Sequence, residues 1–180
     1  MRVIAGEFRS RRLKTLPGMA LRPTPDRLRE ALFNVLAPRL EGCEFLDAYA
    51  GCGSAGIEAL SRGARRAVFI EKHPAAVRVI HENLASLGLE ARSLVVRGSA
   101  SSHLSRFEPD ICFLDPPYDL DSEYAAALGL LGRMPPALVV AQHTVRLCLE
   151  ESYGRLRRVR VLRQGDNTLS FYEPAVSSTC

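Results

Sequence analysis

Short apolar runs alternate with amphipathic segments along most of this chain, and that alternation constrains the fold more than any other feature. Apolar runs predict strands at residues 44–48, 67–71, 93–96, 111–115 and 137–141, and helical spacing predicts helices at 54–62, 74–87 and 122–131. The runs are continuously apolar, as parallel strands covered on both faces require. The pattern predicts an α/β protein with a doubly wound, mostly parallel sheet.

The two ends of the chain depart from this alternation. Residues 159–164 and 168–172 flank Gly165-Asp166-Asn167, which predicts a C-terminal antiparallel hairpin at the end of the sheet. Near the start, Thr24-Pro25-Asp26 provides helix-initiating residues, and the helix is expected to end before Pro38. We therefore expect one compact unit in which residues 1–40 form a basic arm and helix and residues 41–180 form the sheet domain.

Composition excludes several classes of protein. The chain is 47% hydrophobic and 24% charged over 180 residues, which argues against disorder, and it has neither a long apolar span nor the apolar core of a signal peptide. The five cysteines are scattered with no CxxC spacing, so we expect reduced thiols, no disulfide framework and no metal site. We predict a cytoplasmic protein that does not contact a membrane.

Positive charge is concentrated in two places. Residues 1–29 hold eight basic side chains against two acidic ones in a chain of net charge +4, and the cations Arg9, Arg11, Arg12 and Lys14 crowd the arm. A second cluster near the C-terminus consists of Arg155, Arg157, Arg158, Arg160 and Arg163. Together the clusters could bind a nucleic acid, although a solvated surface in an arginine-rich proteome would look the same.

A glycine-rich loop follows the first predicted strand and is typical of nucleotide binding. Gly51, Gly53 and Gly56 have GxGxxG spacing at a strand-to-helix turn. Asp47 precedes this loop, and its carboxylate would repel a pyrophosphate but attract an ammonium or sulfonium group. Glu71 ends the second strand, where an acid accepts hydrogen bonds from ribose hydroxyls. These residues favour S-adenosylmethionine over NAD.

The fourth predicted strand ends in the most specific tetrad of the chain, Asp115-Pro116-Pro117-Tyr118. An amino group conjugated to a heterocycle is a poor nucleophile because its lone pair is spread into the ring. If the Asp115 carboxylate and the Pro116 carbonyl accept its two N–H groups, and Tyr118 stacks on the base, the nitrogen is oriented toward a sulfonium methyl. The alternative is an ordinary turn after a buried strand.

With these residues the chain resembles the class I S-adenosylmethionine-dependent methyltransferases that act on amino groups. Within them it is similar to the bacterial family that methylates guanine N2 in 16S ribosomal RNA. The segments that carry the resemblance are residues 2–6, 11–13, 21–30, 46–64, 115–118 and 165–168.

The resemblance implies a Rossmann-like methyltransferase domain over residues 41–180, with Asp115, Pro116, Pro117 and Tyr118 as catalytic residues. It implies cofactor contacts from Asp47, Tyr49, Gly51, Gly53, Glu71, Ser99 and Ala100. It implies that Arg22 and Thr24 border the active site, where they would contact the substrate. The charge density of the arm predicts RNA contacts from Arg9, Arg11, Arg12 and Lys14. The partner would be 16S rRNA or a 30S assembly particle, bound by a monomer.

Two positions depart from the family pattern. An acid or amide often meets the adenine amine after the third strand, where this chain has Ser99 and Ala100. The family often has an acid after the fifth strand, where this chain has Gln142-His143, and a structural role for His143 is favoured over a catalytic one.

Other functions stay open at this point. An adenine-N6 methyltransferase of DNA or RNA would use the same tetrad, but DNA enzymes usually carry an added recognition domain. A non-catalytic RNA-binding module would explain the basic clusters and leave both loops without a role. An NAD-dependent oxidoreductase is disfavoured by Asp47.

Overall fold

The computed structural model describes residues 1–16, 26–117 and 121–176. The helices are α1 (Asp26–Leu40), α2 (Ser54–Ser61), α3 (Pro74–Leu87), α4 (Ala100–His103) and α5 (Asp121–Leu131). The strands are β1 (Glu44–Asp47), β2 (Arg66–Glu71), β3 (Ser93–Arg97), β4 (Ile111–Leu114), β5 (Leu138–Thr144), β6 (Ser152–Tyr153), β7 (Leu156–Gln164) and β8 (Asn167–Pro174). Short 3-10 turns occupy Glu90–Arg92 and Leu104–Arg106.

All eight strands form one sheet in the order β3-β2-β1-β4-β5-β8-β7-β6. Strands β1 to β5 are parallel, and β8, β7 and β6 continue the sheet in antiparallel pairing. The predicted doubly wound sheet with a C-terminal hairpin is confirmed. The strand order reverses between β1 and β4, so a crevice forms beyond the carboxyl ends of these two strands, where ligands bind in such sheets.

Both faces of the sheet are covered, which explains the continuously apolar strands. On β4, Ile111 and Phe113 pack with α1 and α2, whereas Cys112 and Leu114 pack with α5 on the opposite face. Helix α3 and the apolar side chains of the N-terminal arm extend the first of these layers over β2. Within the described residues no helix is long and apolar enough to cross a bilayer.

The prediction that the first helix ends before Pro38 is wrong. Helix α1 includes Pro38 and continues to Leu40. Proline removes one hydrogen-bond donor, so the carbonyl of Asn34, four residues earlier, loses its helical partner, but the helix continues for only two residues beyond Pro38. Leu36 and Leu40 are both buried in the core, so packing on the sheet holds this last turn in place. The predicted initiating residues Thr24 and Pro25 lie outside the described residues.

The fifth strand is longer than predicted at its C-terminal end. It was expected over residues 137–141, but β5 reaches Thr144 because His143 and Thr144 pair with Thr168 and Asn167 of β8. Gln142 and His143 therefore lie within the sheet and not in a loop after it. The other strand bounds differ from the prediction by one residue at an end in β1 to β4, and Asp115 comes directly after β4.

Candidate active site

The glycine-rich loop turns sharply between β1 and α2. Gly51 and Gly53 have φ of 57° and 83°, a left-handed conformation that side chains rarely adopt. Gly56 is needed for a different reason, since a Cβ there would lie 2.3 Å from the ring of Phe69. The loop is fixed by a 2.7 Å hydrogen bond from the Gly53 amide to the Ala50 carbonyl. Gly51 and Gly53 thus allow the tight turn, and Gly56 allows α2 to pack closely against β2.

Asp47 ends β1 beneath this loop and is 2% exposed. Its Oδ2 accepts a 3.2 Å hydrogen bond from the Gly56 amide. Burial is the main cause that raises the pKa of Asp47 to about 7; the nearby Glu71 carboxylate adds to the rise, and hydrogen bonds from the Gly56 and Tyr49 amides partly offset it. A cation placed beside Asp47 would therefore be strongly attracted to its ionised form.

Glu71 ends the neighbouring strand β2 and is buried against the same loop. Its Oε2 accepts the Gly51 amide and its Oε1 accepts the His73 amide, both at 2.8 Å. These bonds hold the glycine loop in place, a role that the sequence does not reveal. Each carboxylate oxygen has a second lone pair, so two acceptor positions stay available for ribose hydroxyls.

Asp115 follows β4, the strand that pairs with β1 in parallel. One pocket has both Asp47 and Asp115 in its wall, together with Arg29, Leu32, Tyr49, Ala50, Ser54, Ala55 and Phe113. Pro116 is buried and Pro117 is exposed. The loop predicted to bind the cofactor and the Asp115 carboxylate predicted to bind the target amine therefore lie at one pocket. Tyr118, the last residue of the tetrad, lies outside the described residues.

The remaining cofactor candidates lie around the same edge of the sheet. Tyr49 lines the pocket, and its hydroxyl donates a 2.9 Å hydrogen bond to Oε2 of Glu123 on α5. Burial and Glu123 together raise the pKa of Tyr49, so the phenol stays protonated. Ser99 precedes α4, its hydroxyl lies 2.7 Å from that of Ser102, and Ala100 is buried.

Arg29 of α1 is a pocket residue that sequence reasoning missed. Its side chain is 2% exposed, a rare environment for arginine. The helical spacing of apolar residues in the sequence could have indicated that Arg29 is buried, because Arg29 shares a helical face with Phe33, Leu36 and Leu40, all buried in the core. An arginine at a position that otherwise calls for an apolar side chain indicates a specific partner.

The N-terminal arm is a tight hairpin locked onto α2. Glu58, 1% exposed, accepts the amides of Ile4 and Ala5 at 2.8 and 3.0 Å and the Arg62 guanidinium at 2.7 Å. Gly6 approaches α2 so closely that a Cβ would lie 1.9 Å from the Ser61 carbonyl oxygen. The arm is therefore part of the folded body.

The arm's cations divide into two groups. Lys14 pairs with Glu82 at 2.8 Å, and Arg11 donates to the Ser86 carbonyl at 3.0 Å, so both are engaged by α3. The exposed side chains of Arg9 and Arg12 have no hydrogen bond or ion pair with any residue of the described segments. The other predicted substrate residues, Arg22 and Thr24, lie outside those segments.

Asn83 connects the arm to the glycine loop. Its Oδ1 accepts the Lys14 amide at 2.8 Å, and its Nδ2 donates to the carbonyls of Lys14 and Cys52 at 3.1 and 2.9 Å. This buried amide is a second residue that sequence reasoning missed, because its partners lie far away along the chain. It holds the end of the basic arm beside the glycine loop.

His143 has the environment of a structural histidine. It is 4% exposed, one ring nitrogen lies 2.9 Å from the Ser170 hydroxyl, and the other lies 2.9 Å from the Thr144 carbonyl. Burial lowers its pKa. The contact with Ser170 joins β5 to β8, which supports the structural interpretation. The adjacent Gln142 is buried in the same strand.

The C-terminal arginines lie along the last strands. Arg155 and Arg158 are engaged by the carbonyls of Arg133 and Leu149. Arg160 and Arg163 are exposed on β7, which runs parallel to β5 and ends at the turn Gly165-Asp166. Arg163 therefore lies toward the same edge of the sheet as the pocket.

No metal centre is found in the described part of the chain, since no three His, Cys, Asp or Glu side chains group together there. Cys43, Cys52, Cys112 and Cys148 are free thiols. Burial raises the pKa of Cys43 to about 11, so this thiol is not a reactive nucleophile.

Comparison with known proteins identifies the family of this chain. The family described as Conserved hypothetical protein 95 matches residues 1–173. YlbH of Bacillus subtilis, a proposed rRNA methyltransferase, is 34% identical over 182 residues, which cover 96% of this chain and 98% of YlbH. Ribosomal RNA small subunit methyltransferase D of Haemophilus influenzae is 38% identical over 134 residues, which cover 71% of this chain and 69% of that protein.

A solved structure is equally similar. The structure of yhhF from Escherichia coli, a proposed methyltransferase, has a TM-score of 0.84 and 32% identity, and the match covers 98% of this chain and 99% of yhhF. The resemblance inferred from the motifs is confirmed. The chain belongs to the family described as Conserved hypothetical protein 95, within the class I methyltransferases.

Proposed function

We propose that this protein transfers a methyl group from S-adenosylmethionine to the exocyclic N2 amine of a guanine in 16S ribosomal RNA. The observation that carries this proposal is the shared pocket of Asp47 and Asp115 at the carboxyl ends of adjacent strands. It brings the carboxylate expected for the cofactor and the carboxylate expected for the target amine to one crevice. The names of the relatives support a small-subunit rRNA as the substrate.

The charges and the glycine loop of the pocket support this choice of cofactor. A buried carboxylate beside a glycine turn suits a cationic ligand and opposes a pyrophosphate, which separates this site from that of a dinucleotide enzyme. A Cβ built on Gly51 would meet no atom within 4 Å, so the loop leaves space in front of its backbone. Glu71 offers two acceptor positions for the ribose, and Ser99 and Ala100 border the adenine.

The chain's own residues orient the amine. Asp115 and the Pro116 carbonyl accept its two N–H groups, which turns the nitrogen lone pair toward the donor. Tyr118 stacks on the base. Bound S-adenosylmethionine would supply a methyl group whose bond to sulfur breaks as its bond to the amine nitrogen forms, leaving a neutral thioether, and the methylated nitrogen then releases one proton. The chain therefore needs to position charge but needs no acid catalyst.

The basic arm supplies the RNA contact in this proposal. Arg9 and Arg12 are exposed on an arm that Asn83 joins to the glycine loop. Arg163, exposed near the end of β7, adds a positive charge toward the same edge of the sheet as the pocket. Because guanine hides its amine in the minor groove of a helix, the target base is unpaired or flipped out. We propose that the protein acts in the cytoplasm as a monomer on rRNA or on a 30S assembly particle.

The proposal is tested by methyl transfer from tritiated S-adenosylmethionine to 30S particles, naked 16S rRNA and duplex DNA. We expect transfer to one or both of the ribosomal substrates and none to DNA. Asp115→Asn should lower the rate by about 10²-fold or more, because it removes an oriented charge at the reacting amine.

The matched control is Asp110→Asn at the opposite end of β4. Asp110 is exposed, and its Oδ2 accepts the Glu44 amide at 2.7 Å, a bond that an amide oxygen preserves. The Asp110→Asn variant should transfer methyl groups at the wild-type rate. Transfer to DNA in preference to ribosomal RNA, or an undiminished rate in Asp115→Asn, would contradict the proposal.

A further inference from the structure

Arg29 is buried but its hydrogen-bonding capacity is only partly used. Nη2 donates to the Arg2 carbonyl at 2.5 Å and to Oδ1 of Asp26 at 3.1 Å. Nε and Nη1 are buried with no hydrogen-bond partner in residues 1–16, 26–117 and 121–176. Buried donors that lack an acceptor are costly, particularly on a charged group. This arrangement calls for an acceptor that the described chain does not supply.

The position of Arg29 indicates where that acceptor lies. Helix α1 begins at Asp26 and ends at Leu40, whose carbonyl accepts the Cys43 amide just before β1 begins. Because the end of the helix lies at the start of β1, Arg29 in the first turn lies near the carboxyl end of β1. It lines the pocket with Asp47, Ser54 and Asp115. The pocket wall therefore carries a guanidinium from α1 and a carboxylate from β1, which suits a ligand bearing both an anion and a cation.

The amino-acid end of S-adenosylmethionine has these two charges on one carbon. We propose that Arg29 binds the α-carboxylate of the methionyl part of the cofactor while Asp47 attracts its ammonium group. This inference rests on the proposed function, because it takes S-adenosylmethionine as the ligand. Arg29 is then a cofactor-binding residue on the helix before the glycine loop, in a position that the motif does not include.

An RNA phosphate is the other anion available, and the surroundings of Arg29 disfavour it. The side chain is 2% exposed and shares the pocket wall with Leu32 and Phe113. The phosphate backbone of a nucleic acid contacts cationic side chains that project from the protein surface. Arg9 and Arg12 are exposed in this way. The carboxylate of a small ligand inside the pocket reaches Arg29 without burying a nucleic-acid strand.

The test compares two ligands that differ only in the carboxylate. S-Adenosylhomocysteine has it, and the decarboxylated analogue S-adenosyl-3-thiopropylamine keeps the thioether and the amine. Calorimetry of the wild type should give an affinity for S-adenosylhomocysteine about 10- to 100-fold higher, the value of hydrogen bonds to a charged group. In Arg29→Met this ratio should fall to near one, whereas Arg27→Met, an exposed arginine on the same helix, should retain it.

The ratio of the two affinities separates recognition from folding, since a loosened pocket weakens both ligands together. Arg29→Lys provides a second variant, because it keeps a positive charge if the Arg2 contact proves necessary for folding, and its ratio should also decrease. A ratio unchanged in both Arg29 variants would overturn the inference. Failure of the wild type to bind either ligand would instead contradict the proposed function itself.

Discussion

The raised pKa of Asp47 predicts how the stability of the protein changes with pH. The Asp47 carboxylate is buried in the pocket wall and accepts a 3.2 Å hydrogen bond from the Gly56 amide. Burial and Glu71 raise its pKa to about 7, from 3.8 for a free aspartate. Asp47→Asn keeps an oxygen for the Gly56 amide and removes the charge, so it isolates the electrostatic contribution.

The magnitude follows from proton linkage. Between pH 4 and pH 7 the native carboxyl group holds a proton that the unfolded chain has released. The free energy of unfolding therefore falls as pH rises, by about 1.4 kcal/mol per pH unit. From pH 5 to pH 6.5 the loss is roughly 2 kcal/mol, and the full destabilisation is present above pH 7. Asp47→Asn should lack this pH dependence and should be more stable than the wild type at pH 8.

Urea unfolding followed by far-UV circular dichroism at pH 5, 6.5 and 8 measures this difference. Asp110→Asn, a substitution at an exposed aspartate that precedes the neighbouring strand β4, is the control and should follow the wild type. If Asp47→Asn loses stability with pH as steeply as the wild type does, Asp47 is not the group that titrates and the reasoning is refuted.

The same ionisation should control cofactor binding. Only ionised Asp47 attracts the ammonium group, so the wild-type affinity for S-adenosylhomocysteine should be about tenfold lower at pH 6 than at pH 8. Asp47→Asn should bind weakly at both values. Calorimetry at the two pH values checks this, and a strong, pH-independent affinity in the variant would remove Asp47 from the site.

Two further predictions concern the loop and the arm. Gly56→Ala places a Cβ 2.3 Å from the Phe69 ring and should destabilise the fold by about 1–3 kcal/mol in urea unfolding, whereas Gly129→Ala, with no atom within 4 Å of its Cβ, should be neutral or stabilising. Equal stabilities would contradict the packing role of Gly56. Replacing Arg9 and Arg12 together by Ser should reduce the log–log salt slope of RNA binding by about 0.7 per residue and leave S-adenosylhomocysteine affinity unchanged. An unchanged slope would assign RNA binding elsewhere.

The sequence predicted those features that depend on local pattern. The apolar runs located β1 to β5, and the Pro74 start of α3 was predicted with its full range because proline favours the first turn of a helix. The meeting of Asp47 and Asp115 was also predictable, since residues that follow parallel strands lie at one edge of a sheet. That edge contains the pocket.

The features that were missed depend on contacts between distant residues. Nothing near Glu58 or Asn83 indicates that their partners are the amides of Ile4 and Lys14, which lie more than fifty residues away. Pro38 ends a helix in isolation, but burial of Leu40 outweighs that local preference. The two Arg29 nitrogens that lack a partner within the described residues, Nε and Nη1, become evident only when α1 is packed on the sheet.

The identity of the methylated nucleoside tests the central claim most directly. The protein is expressed in a bacterial strain that lacks its own small-subunit rRNA methyltransferase D, alongside the Asp115→Asn variant. The 16S rRNA is then digested to nucleosides and analysed by mass spectrometry. The account predicts N2-methylguanosine restored by the wild type and absent with Asp115→Asn. Restoration by the variant, or the appearance of N6-methyladenosine in place of N2-methylguanosine, would contradict it.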